Sequence, residues 1–117
     1  MSNPARSIIV FAVYLTLAGL CFILIPNIVL PLFGFAATTE VWIRLAGLLT
    51  LILGMYFFYS VRTEDRPFFR ATIIARLMFF TGVTLFAILG WGSPMLILFG
   101  LVDLAGATWT WLALRPS

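Results

Sequence analysis

The chain has 117 residues, 63% of them hydrophobic and 9% charged, with a net charge of +3 and a mean hydropathy of +1.16. Soluble domains are about half apolar and about a quarter charged, and a single small core cannot hide so much apolar surface, so a water-soluble globular fold is excluded and the lipid bilayer is the expected partner. All basic residues are arginine, with no lysine or histidine, which removes Schiff-base chemistry, imidazole bases and histidine metal ligands, while the dispersal of those arginines among apolar runs argues against nucleic acid.

A membrane-crossing helix needs about 20 mainly apolar residues, and four such spans are predicted in chain order: 7–25, 41–61, 68–91 and 94–114. The first is too long for a cleaved signal peptide, whose apolar region runs about 7 to 15 residues, so it is expected to be retained. It holds the lone Cys21, which excludes an intrachain disulfide. The loop PNIVLPLFGFAATTE follows, where Pro26 and Pro31 end or kink the helix and Thr38, Thr39 and Glu40 offer a capped start to the next. In the second span Arg44 sits one turn inside, positioned to pair with Glu40 along the helix surface, and Ala46, Thr50 and Gly54 form a small-residue stripe. The polar RTEDRP loop comes next; Glu64 and Asp65 there read as solvated loop residues rather than a general acid/base pair. The third span carries Arg76, a tight turn at Trp91, Gly92, Ser93 and Pro94 follows, and the fourth carries Asp103 on a face shared with Gly100, Gly106, Ala107 and Thr110.

The expected fold class is therefore all-α: one integral-membrane four-helix bundle occupying residues 1–117. Arg6, Arg62, Arg66, Arg70 and Arg115 fall on one side of such a bundle, and the positive-inside rule puts both termini and the RTEDRP loop in the cytoplasm, in a multi-pass protein of the inner (plasma) membrane. Sliding the chain until Arg62 falls on Arg115 also aligns Gly47 with Gly100 and three leucines. Either this marks two hairpins related by an axis along the membrane normal or it reflects shared leucine-rich composition. In that alignment Asp103 falls opposite Thr50, so the carboxylate belongs to one half alone.

An ionisable residue at a helix centre costs about 2.5 to 3.5 kcal/mol on insertion scales and normally faces the bundle interior with a partner. At about 1.5 Å rise per residue, Asp103 lies roughly 18 Å above the level of Arg115 and Arg76 roughly 12 Å above that of Phe68. The difference is within reach of an arginine side chain, which makes Arg76 and Asp103 the expected ion pair, either a lock on helix register or a ligand or proton site. Glu40, Arg44 and Thr50 are secondary candidates. Tyr56, Tyr59, Trp109 and Trp111 suit an interfacial aromatic belt, and the same rings could serve a flat ligand such as a quinone. No Ser/His/Asp or Cys/His constellation, phosphate-binding glycine loop or metal site can be built, so no catalytic residue and no cofactor is expected.

The stretches WIRLAGLLTLILG, FFRATIIARLMFF and FGLVDLAGATWTWLALR, behind a proline-interrupted first loop, resemble uncharacterised small four-helix bacterial membrane proteins, broadly the DoxX-like group. The resemblance implies a compact inner-membrane bundle with Arg44, Arg76 and Asp103 as its notable positions, and no particular substrate. Small multidrug transporters have a similar size, but the glutamate expected in their first span is missing. The leading expectation is a non-enzymatic accessory or interaction subunit, associating with itself or another membrane protein and locked by a buried Arg–Asp pair. The alternative is a small transporter or hydrophobic-ligand or quinone-binding protein that uses Asp103.

Overall fold

The computed structural model describes residues 1–115, which form five helices and no strand. They are α1 (Asn3–Leu24), α2 (Pro26–Leu32), α3 (Trp42–Arg62), α4 (Arg66–Ile88) and α5 (Leu96–Leu114). All but α2 are long and apolar enough to cross a membrane, and these four helices stand where the spans are expected, with ends shifted by a few residues.

Local chemistry sets those ends. Ser2 caps α1, its Oγ accepting from the Ala5 amide at 3.2 Å, and Asp65 caps α4 by accepting from the Phe68 amide at 3.1 Å. Pro26 lacks the N–H that would continue α1 and disfavours helical backbone at Ile25. Instead of an irregular loop, the proline then starts α2, because its fixed φ suits a first helical position. Glycines in left-handed conformation stop two helices. Gly34 (φ 81) ends α2 with the Phe35 amide bonded back to the Leu30 carbonyl at 2.9 Å, and Gly90 (φ 76) ends α4 with the Trp91 amide bonded to Phe86 at 2.9 Å. The third span therefore closes before Trp91.

The helices pack in the spatial order α3, α1, α5, α4, with α1 against α3 and α4 against α5 as the two most intimate pairs and α1 against α5 joining them. The α1–α3 crossing is set by glycine. A Cβ on Gly19 would sit 2.7 Å from the Gly47 carbonyl oxygen, and one on Gly47 would sit 2.8 Å from the Gly19 oxygen. The face of α3 that packs on α1 is thus Gly47, Leu51 and Gly54, with Gly54 over Ala12 and Thr16. Ala46 and Thr50, expected on that packing stripe, face elsewhere.

By contrast, the backbones of α3 and α4 are not closely packed. They meet through side chains at the end carrying Arg62 and Arg66, where Phe57 and Phe68 stack edge to face with ring centroids 5.6 Å apart. There Ala5, Ile8, Phe11, Ala12, Val61 and Phe69 complete the hydrophobic core. At the opposite end the connection after α1 folds back, bringing Phe33 within 4.4 Å of Phe99. Away from the Phe57–Phe68 contact, α3 and α4 make no close backbone approach.

Replacing Gly47 with Ala should lower the thermal stability of the detergent-solubilised protein by about 1–3 kcal/mol, because the added carbon would meet the Gly19 carbonyl oxygen and the Phe22 Cβ at 2.8 Å, neither of them the free end of a flexible side chain. Gly82→Ala, with nothing within 4 Å of the added carbon, should be neutral or slightly stabilising. Equal melting temperatures for the two variants would rule out the close crossing.

Candidate functional site

Arg76 is 2% exposed at the middle of α4, and its hydrogen bonds explain how a guanidinium is tolerated there. Nε donates to the Thr72 carbonyl at 3.2 Å, and Nη2 donates to Thr72 Oγ1 at 2.9 Å and Thr110 Oγ1 at 2.8 Å. Thr110 Oγ1 also lies 2.7 Å from Ser7 Oγ, a hydrogen bond in which either hydroxyl donates, and Ser7 Oγ donates to the Pro4 carbonyl at 2.6 Å. The guanidinium carbon stands 4.8 Å from the centre of the Phe11 ring, a cation–π contact. One side chain on α4 is thereby tied to α5 directly and to α1 through both Ser7 and Phe11. Nη1, equally buried, has no hydrogen-bond partner.

The expected direct hydrogen-bonded pair of Arg76 with Asp103 is therefore not formed. Cβ bonds on a helix lean toward its N-terminus. On α4 that direction carries Arg76 back toward Thr72; on the antiparallel α5 it carries Asp103 the opposite way. Comparing backbone heights alone neglects this divergence, so Thr110, two turns beyond Asp103, receives the guanidinium. Gly106 leaves the room for it, since a Cβ there would lie 2.9 Å from Nη1.

Asp103 remains buried, at 8% exposure, and it shares a cavity with Arg76. The space measures about 430 Å³ and draws wall residues from all four long helices: Phe11, Tyr14, Leu15, Ala18 and Phe22 on α1; Ala46, Thr50, Leu53 and Phe57 on α3; Ala75, Arg76 and Phe79 on α4; and Leu96, Phe99 and Asp103 on α5. That is ordinary for a small-molecule site, which occupies about 300–1,000 Å³ and pairs apolar walls with a few polar groups. Leu53 on α3 and Phe79 on α4 line it and are each almost half exposed. A smaller cavity of about 250 Å³ with wholly apolar walls lies on the α2 side and shares Phe22, Leu96 and Phe99 with the first.

The secondary candidates separate. Thr50 lines the cavity shared by Arg76 and Asp103, although its hydroxyl donates to the Ala46 carbonyl at 2.8 Å. Arg44 does not take Glu40 along a helix, because α3 begins only at Trp42 and leaves Glu40 in the preceding bend. Arg44 Nη1 instead donates to the Ile23 carbonyl, satisfying one of the acceptors left free at the end of α1. Among the described residues no group of acidic, cysteine or histidine side chains could hold a metal ion. Ser7, Phe11, Tyr14 and Thr72 are site residues that sequence reasoning missed; the spacing of Thr72 and Arg76, one helical turn apart, was the available signal.

No protein-family model, curated protein or solved structure matches this chain.

Thr110→Val keeps the side-chain shape while removing the hydroxyl that joins Ser7 to Arg76. It should cost about 1–3 kcal/mol in a thermal denaturation series. In a double-mutant cycle Thr110→Val and Arg76→Met should couple by more than about 0.5 kcal/mol; strict additivity would show that the observed network contributes nothing.

Proposed function

We propose that the chain is a multi-pass membrane protein that binds a small amphiphilic molecule in the cavity between its four long helices, reached from the lipid through the α3–α4 seam. The observation that carries this reading is a cavity whose wall includes two buried ionisable side chains, Arg76 and Asp103, that make no hydrogen bond to each other. Polar groups isolated in apolar surroundings are costly, and intramembrane ionisable residues commonly mark pathways or binding sites. A pure register lock would bring the two charges into contact and fill the space between the helices.

Membrane insertion is supported by the outward faces of those helices, which present large apolar side chains such as Met78 (69% exposed) and Ile88 (75%). The one-sided distribution of arginine favours an inner-membrane location with both termini in the cytoplasm. A DoxX-like bundle fits this picture. An exact two-hairpin repeat fits it less well, since an axis exchanging α1 with α4 and α3 with α5 would make the α3–α4 contact equivalent to α1–α5, and only the latter is close. Arg76 still serves as a lock on α1, α4 and α5, through threonines rather than through Asp103. An accessory role would use the same bundle with the cavity idle.

The test is thermal denaturation in maltoside with dodecanamide, dodecanoate or dodecylammonium added. At least one should raise the melting temperature by several degrees, since ligand at about 100 times its Kd contributes about 2.7 kcal/mol. Ala75→Trp, which fills the cavity beside the seam, should fold and abolish the rise. No shift with any of the three compounds would overturn the reading.

A further inference from the structure

On the outer surface of the bundle a groove of about 210 Å³ runs between α4 and α5, walled by Ile73 and Leu77 on one side and by Ala107, Thr108 and Trp111 on the other. It shares no wall residue with the interior cavity. Leu77 and Trp111 are both exposed, so the groove faces outward, toward the position of acyl chains around an inserted bundle. Its end toward the α3–α4 turn is basic. Arg66, Arg70, Ile73 and Leu77 recur at three- and four-residue spacing and so share one face of α4, which sets two exposed arginines in line with one wall. On the antiparallel α5, Arg115 follows Trp111 by one turn, and its guanidinium carbon stands 5.1 Å from the centre of that aromatic ring. Arginine therefore closes both walls at the same end, while the nearby Asp65 carboxylate is occupied in capping α4 through the Phe68 amide.

Granting insertion in a bilayer as proposed above, and independently of the interior cavity, we infer that this groove holds one chain of an anionic phospholipid whose phosphate is taken by Arg70 and Arg115. Arginine matches phosphate oxygens with paired N–H donors, and basic pockets between membrane helices at the cytoplasmic surface suit anionic lipid heads. Tryptophan settles at headgroup depth, so stacking on Trp111 keeps the Arg115 charge at the level of lipid phosphates. Charge and groove lie one helical turn apart, which requires an occupant that joins an anionic head directly to an apolar tail. A soluble acidic protein supplies only the first of these. A zwitterionic lipid brings its own ammonium group against the arginines, so phosphatidylglycerol is favoured over phosphatidylcholine.

Native mass spectrometry of the whole protein in detergent, with phosphatidylglycerol and phosphatidylcholine of identical acyl chains in competition, tests this. Phosphatidylglycerol should bind at least about ten-fold more tightly. Arg70→Gln and Arg115→Gln should each cut that preference by at least about three-fold, whereas Arg62→Gln, which removes the same charge from α3, should leave it unchanged. Thr108→Trp, at an exposed position in the groove wall, should weaken binding of the lipid by at least about three-fold at an unaltered melting temperature. No preference between the two lipids, or an equal loss in Arg62→Gln, would overturn the site. Displacement of the lipid by inorganic phosphate at constant ionic strength would do the same, as would a lipid-free dimer that Thr108→Trp dissociates. A chain that stays monodisperse in buffer without detergent would instead overturn the membrane reading itself.

Discussion

A guanidinium held out of water must give its protons to something, and where Arg76 gives them decides how three helices meet. Its Nε and Nη2 take acceptors on α4 and α5, its flat face rests on Phe11 of α1, and the Thr110 hydroxyl extends the chain to Ser7. Small and hydroxylated side chains on α5 are needed for this, because Gly106 leaves space beside Nη1 and Thr110 supplies the acceptor. Dispersion between apolar helix faces tolerates sliding. Hydrogen bonds from a buried cation do not, so this network fixes the relative heights of α1, α4 and α5.

The second organising contact is of the opposite kind. Gly19 and Gly47 let the backbones of α1 and α3 approach until no side chain fits between them, the close approach that small residues permit between apolar helices. One consequence is geometric: α3 is drawn onto α1, and α4 is drawn onto α5 by its own close contacts at Gly100 with Val83 and Phe80. Nothing equivalent draws α3 to α4. Phe57 and Phe68 join those two helices at one end, and Arg76 and Asp103 both line the space between the pairs. Fold and site thus share a cause, since the contacts that tighten two helix pairs leave room between the pairs.

Much of the fold was legible in the chain. Length and hydropathy alone place four long helices, and the stop at Pro26 follows from backbone chemistry that acts within a few residues; the cap at Asp65 and the stop at Gly90 rest on equally local chemistry but were read past, as a loop residue and as part of a span running to Trp91. The buried face of α5 was also readable, because Gly100, Asp103, Ala107 and Thr110 recur at helical spacing and all prove buried. The partner of Arg76 was not. Height along a helix follows from counting residues, but the direction of a side chain depends on which way its helix runs, and in antiparallel neighbours Arg76 and Asp103 lean apart. On α3, likewise, small residues at Ala46, Thr50 and Gly54 and at Gly47 and Gly54 offer two overlapping stripes, and only the crossing with α1 selects between them.

The sequence by itself determined the class of molecule and the inventory of its chemistry: four long apolar helices, two ionisable residues deep within them, and neither lysine nor histidine. These follow from composition and local periodicity, which need no knowledge of neighbours. Tertiary structure alone decided that Arg76 binds threonines, that Arg44 closes the end of α1, and that Asp103 faces a shared cavity rather than a salt bridge. Those outcomes depend on which helix faces touch and at what relative height, quantities set by packing between segments far apart in the chain.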